Sequence, residues 1–187
     1  SRIRYQSPVN STVLISVCRL INVAHVNNRT AHDRFPVHLY GRFIPANDQI
    51  VTKDVLPILA RNLQSAVEKK DSHQVSVYIR AIGNLGHPEI LKVFAPYIGN
   101  RVHVSKYQRM QMVMALDELA ILFPGIAKYV LFNIYNNKAE NYQVRSVAIF
   151  ELLKAKPTAN MLQQMALASH NDPSTHVRSA IKSAITY

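Results

Sequence analysis

The sequence has one cysteine, Cys18, no tryptophan, five glycines, and half as many acidic residues as basic ones. A single cysteine excludes a disulfide within the chain and any zinc site built from several thiolates. No glycine-rich phosphate loop and no His-Glu-x-x-His helix motif is present, so two common routes to chemistry are missing. No apolar run reaches the roughly 20 residues that span a bilayer. The greasiest stretch, 119–135, is interrupted by Pro124, Gly125 and Lys128 and reads as two packed helices. The first ten residues, SRIRYQSPVN, lack the apolar core of a signal peptide. They also lack an initiating methionine, and the last residues, SAIKSAITY, stop within a helical pattern. Both features lead us to expect a piece of a longer polypeptide.

What is present is a chain of 187 residues, 48% apolar, with 22 Lys and Arg against 11 Asp and Glu and a formal charge of +11. A domain of this length buries roughly 70% of its unfolded surface. The composition is that of a globular domain, and the basic surplus favours an acidic partner.

The pattern predicts an all-α fold: an α-solenoid of stacked antiparallel helix pairs. Residues 11–24 read as a first helix, opened by Ser and Thr. Residues 24–51 read as a long irregular basic loop with no clean period. Regular helix pairs follow over 52–187. Thr52 opens a helix to about Lys69, with Pro57 as a kink or late start. Ser72 opens one that Gly86 stops in the left-handed conformation, and Pro88 starts the next, to about Gly99. Ser105 opens a helix to Phe123, and Pro124, Asn141, Pro157 and Pro173 each begin another. Gln74, Gln108 and Gln143 recur 34 and 35 residues apart, and Val144-Arg145-Ser146 returns as Val177-Arg178-Ser179 after 33. A period in the thirties marks helix pairs that stack by repeating one contact.

Arg145 and Arg178 are therefore structural repeat arginines. Each lies among apolar neighbours on its helix, where a charge needs a partner, and is expected to bond helix-end carbonyls or a carboxylate of the next unit. An anion-binding role is the alternative. Cys18 lies beside Val17 and Leu20 and reads as a core thiol rather than a nucleophile. Asp117 and Glu118 point about 100° apart on a helix, so they do not form a catalytic pair. His25, His32 and His38 match no ligand spacing. No catalytic, cofactor or metal residue is assigned, and no enzyme activity is expected. Residues 1–47 carry six arginines against Asp33 alone; of these, Arg29, Arg34 and Arg42 form a candidate basic docking patch. Asn10 and Asn28 begin N-glycosylation triplets, which lean towards a secreted protein.

RFPVHLYGRF in the loop, VYIRAIGNLGHPEIL from Val77 and HNDPSTHVRSAIKSAI near the end resemble the helical domain of insect vitellogenins, over essentially the whole chain. The resemblance implies a segment of a secreted egg-yolk lipoprotein of the large lipid transfer family, found in haemolymph and then in oocyte yolk. It implies packing partners in an N-terminal β-barrel and in lipid-bearing β-sheets that the helices brace. It also implies a lipid cargo carried by the parent rather than by this segment, a homo-oligomeric parent, and an acidic oocyte receptor within reach of the basic patch. The rival reading is a stand-alone basic solenoid that binds nucleic acid or acidic proteins. The mixed Gln, Glu and Lys stripe on the Asn141 helix weakens specific nucleic-acid recognition.

Overall fold

The computed structural model describes residues 8–28 and 46–186. Among them every regular element is helical. The chain divides into two compact units, 1–96 and 97–187.

In the first unit α1 (Pro8–Ile21) passes directly into a π-helical turn, Asn22–Val26. A second π-helical turn, Ile50–Val55, leads into α2 (Leu56–Glu68) and is followed by α3 (Ser72–Leu85). The helix α4 (Ile90–Ile98) reaches the boundary between the units. The stretch expected to be irregular from 24 to 51 is thus helical at both described edges. Arg29, Arg34, Arg42, His32 and His38 lie outside the described residues.

α3 packs against both α1 and α2. Its Val75, Ile79, Ile82 and Leu85 recur every three or four residues and are buried, as are Val77 and Ala81 on another side. Full burial of one such aliphatic chain stabilises by roughly 1.5–3 kcal/mol. α3 is capped at its start by Asp71, whose carboxylate accepts the Gln74 N–H, and at its end by Gly86, with φ 59°. The helix starts at the expected Ser72, and its cap is the residue before it, Asp71, because a carboxylate there reaches the free N–H groups of the first turn. Thr52 does not cap a helix; it lies within the π-helical turn and its hydroxyl donates to the Asp48 carbonyl. The first π-helical turn brings Asn22 inward, where its Nδ2 donates to the last carbonyl of α3, Leu85 O, at 2.8 Å. A widened turn of this kind places a side chain that a regular helix would direct elsewhere.

The second unit contains α5 (Lys106–Met114), α6 (Asp117–Leu122), α7 (Pro124–Asn136), α8 (Tyr142–Lys154), α9 (Ala159–Asn171) and α10 (Thr175–Thr186). The single helix expected from Ser105 to Phe123 breaks at Ala115–Leu116 with no glycine or proline to mark it. α8 touches α5, α6, α7 and α10. It is apolar round most of its circumference, and Val144, Ala148, Ile149 and Leu152 are wholly buried. Connections of three to five residues make α7 with α8, and α9 with α10, antiparallel neighbours.

The recurrent glutamines have a local cause. The backbone N–H groups of Gln74, Gln108 and Gln143 are received by the cap side chains of Asp71, Ser105 and Asn141. Gln108 also returns its side-chain oxygen to the Ser105 N–H, completing a capping box.

Candidate functional site

The second unit is tied together by a row of arginines. Measured from the residue that caps each helix, the arginine comes four positions later in α5, α8 and α10: Ser105 to Arg109, Asn141 to Arg145, Ser174 to Arg178. That register puts each guanidinium back over the first turn, beside the connection leading into its helix.

Arg145 is 2% exposed and every polar edge of it is used. Its Nε donates to the Tyr135 carbonyl at 2.7 Å, near the end of α7. Nη1 and Nη2 donate to the two oxygens of Asp172, in the turn before α10, at 3.0 and 2.5 Å. The two expected kinds of partner, a helix-end carbonyl and a carboxylate from the following repeat, are engaged together. Asp172 accepts further hydrogen bonds from Lys138 Nζ at 2.6 Å and from the Ser174 N–H at 3.0 Å. Burial alone would raise its pKa. The hydrogen bonds from Arg145, Lys138 and Ser174, with the Arg145 charge, outweigh this and hold it well below the usual carboxylate range. The Tyr135 ring lies 5.8 Å from the Arg145 guanidinium carbon and 5.7 Å from Lys138 Nζ, within reach of cation–π attraction.

Arg109 repeats the arrangement one helix earlier. Nε and Nη2 grip Glu140 at 3.1 and 3.0 Å while Nη1 donates to the Val104 carbonyl at 3.0 Å. Glu140 stands immediately before the cap of α8 and also accepts the Asn141 N–H. Arg178 makes the carbonyl contact, Nη1 to Asp172 O at 2.5 Å. Among the described residues no carboxylate pairs with it. The glutamine register, offset by one position between α5 and α8, concealed Arg109; counting from the capping residues reveals it. The acidic partners could not be found that way, since they lie 31 and 27 residues ahead in turns of different length.

A second ionic cluster joins α6 to α8. Lys154 Nζ lies 2.6 Å from Asp117 and 3.3 Å from Glu151. Glu151 is buried, and its Oε2 has no hydrogen-bond partner among the described residues. Burial raises the Glu151 pKa, Lys154 lowers it and Asp117 raises it, with the net shift upward. Asp117, which sequence spacing separates from Glu118, faces this cluster instead.

Cys18 is 1% exposed in α1, and burial pushes its thiol up to about 11. A buried thiol with that pKa is not a nucleophile at neutral pH. His25 Nδ1 accepts the Asn47 N–H and His87 Nδ1 accepts the Glu89 N–H. Among the described residues no group of three His, Cys, Asp or Glu side chains is placed to hold a metal, and no helix is long and apolar enough to cross a membrane. Asn10 is exposed in the first turn of α1 and Asn28 is exposed in a turn.

Capped helix pairs, pinned from repeat to repeat by arginine and carboxylate, define a protein of the stacked-helix class. The chain belongs to the vitellogenin TPR domain family, whose model matches residues 1–186. It is 48% identical to a vitellogenin of Bombyx mori over 98% of this chain and 10% of that protein. It is 42% identical to vitellogenin-A1 of Aedes aegypti over 97% of this chain and 8% of that protein, and 38% identical to a vitellogenin of Anthonomus grandis over 99% of this chain. The chain thus spans about a tenth of the length of these relatives. A solved structure described as lipid–protein interactions in lipovitellin shares the fold, with a TM-score of 0.67 and 15% identity over 95% of this chain and 19% of that one.

Proposed function

We propose that this chain is a structural helical segment of a secreted egg-yolk lipoprotein precursor and that it braces the parent's lipid-binding cavity. The parent transports lipid and stores nutrients; this segment performs no catalysis and holds no cofactor of its own. The observation that carries the reading is the family match along residues 1–186, together with relatives named vitellogenin at 38–48% identity. The arginine row supports a mechanical role. Bidentate guanidinium–carboxylate contacts fix direction as well as distance, so helices joined by them resist sliding. The working surfaces are those that meet the parent's lipid-bearing sheets and N-terminal barrel within a homo-oligomer. The parent circulates in haemolymph before entering yolk. Arg29, Arg34 and Arg42 supply a basic patch for an acidic oocyte receptor, and Asn10 and Asn28 carry glycans.

An antibody raised against this segment tests the reading on a denaturing gel of haemolymph and egg extract. The expected result is a band far above 21.2 kDa that rises and falls with egg production and shifts on glycosidase treatment. A band at this size alone, inside cells, overturns it. The charge of +11 then favours the stand-alone binder, whose mark is nucleic-acid affinity that falls steeply with salt.

A further inference from the structure

Arg109 and Arg145 each make two kinds of contact: one guanidinium nitrogen on a main-chain carbonyl in or before the turn leading into their own helix, and two nitrogens on a carboxylate from the turn that opens the next repeat. Arg178 holds the same position after its cap and makes the first contact, to Asp172 O. It is half-buried at the start of α10. In α5 and α8 the nitrogens that make the second contact each hold a carboxylate; in α10 no carboxylate of the described residues meets them. We propose that Arg178 is a carboxylate-receiving site, and that its occupant is an acidic side chain on the opening turn of a further helix pair of this same repeat kind, stacked against α10.

The chemistry favours that occupant. A guanidinium already fixed through Nη1 keeps its fork in one plane, and a carboxylate fits that fork through two parallel hydrogen bonds. The two filled positions present the carboxylate in the same manner, one or two residues before a helix cap. Repeat proteins gain stability from nearest-neighbour contacts of this sort, unit by unit. The inference rests on the arginine row and is independent of the yolk reading.

The test adds one repeat. A second copy of residues 155–186 is joined directly after Tyr187, which preserves the 33-residue register of Arg145 and Arg178. The copied Asp172 then lies 27 residues beyond Arg178, the separation of Arg145 and Asp172 in the structure. Circular dichroism should show added helix. Arg178→Gln should change the unfolding equilibrium constant about tenfold more in the extended chain than in the 187-residue chain. Asp172→Asn in the copy should remove the same factor, and the two substitutions together should cost no more than either alone. An equal cost of Arg178→Gln in both chains, additive costs, or no added helix each overturn the proposal. Arg178→Lys should recover less than half of the effect, because an ammonium cannot form the fork.

Discussion

Arg145 offers the sharpest test of how the second unit is held together. Replacing it by methionine keeps most of its length and its apolar packing but removes every donor. Asp172, whose side chain is 0% exposed, then keeps, among the described residues, Lys138 and the Ser174 N–H, and the Tyr135 carbonyl loses its donor from Arg145. Breaking a buried ion pair from one side costs roughly 3–5 kcal/mol, most of it the penalty of the charge left behind. Asp172→Asn should cost a similar amount by stranding Arg145. The double variant should cost clearly less than the two together, with an interaction energy of about 2 kcal/mol or more. Urea unfolding followed at 222 nm measures the loss, and hydrogen exchange in α8 and α10 locates it. The pair also has a pH signature. The Asp172 carboxyl is depressed below its ordinary 3.8, so the native state binds fewer protons than the unfolded chain. Its stabilisation is present in full above that ordinary value and is lost as pH falls through the folded one. Asp172→Asn should abolish that part of the acid dependence. A cost for Arg145→Met below about 1 kcal/mol, or strict additivity, would refute the argument, since only an exposed pair behaves so.

Glu151 should show the opposite pH sign. Its pKa is raised, chiefly by burial, so stability falls as pH rises through the folded value; Glu151→Gln should flatten that slope and be neutral or slightly stabilising at pH 8, as thermal melts across pH will show. Cys18, with its thiol near 11, should resist alkylation at pH 8 in the native chain and label rapidly in urea, which mass spectrometry reads directly. Gly86→Ala forces a Cβ into the left-handed conformation at φ 59° and should cost about 1 kcal/mol, measured by the same urea titration. Lys138→Met, at a half-exposed position with Arg145 still in place, should cost about 1 kcal/mol or less.

The helical class, the positions of most helices and the repeat were legible in the sequence because their causes are local. Gly86 ends α3 through its own backbone, Ser105 and Asn141 start helices by receiving N–H groups two or three residues away, and apolar spacing decides which side of a helix is buried. The break at Ala115–Leu116 was not legible. No breaker residue stands there, and Leu116, Leu119 and Ala120 are wholly buried, so packing rather than backbone preference divides α5 from α6. The helical edges of the 24–51 stretch were missed for a similar reason. Asn22 is held by the Leu85 carbonyl 63 residues away, and no local period signals such a contact.

The arginine row divides between the two sources of information. By itself the sequence determined that Arg145 and Arg178 occupy equivalent places in a repeat, and that a charge so surrounded by apolar residues needs a partner, because an unpaired buried charge is too costly to keep. Only the tertiary structure decided that Asp172 is that partner, that Lys138 joins it, that Arg109 and Glu140 form an earlier copy, and that Glu151 sits buried beside Asp117. Those choices depend on which turns the packed helices bring together, and packing acts between residues some thirty positions apart, where sequence spacing carries no trace of distance in space.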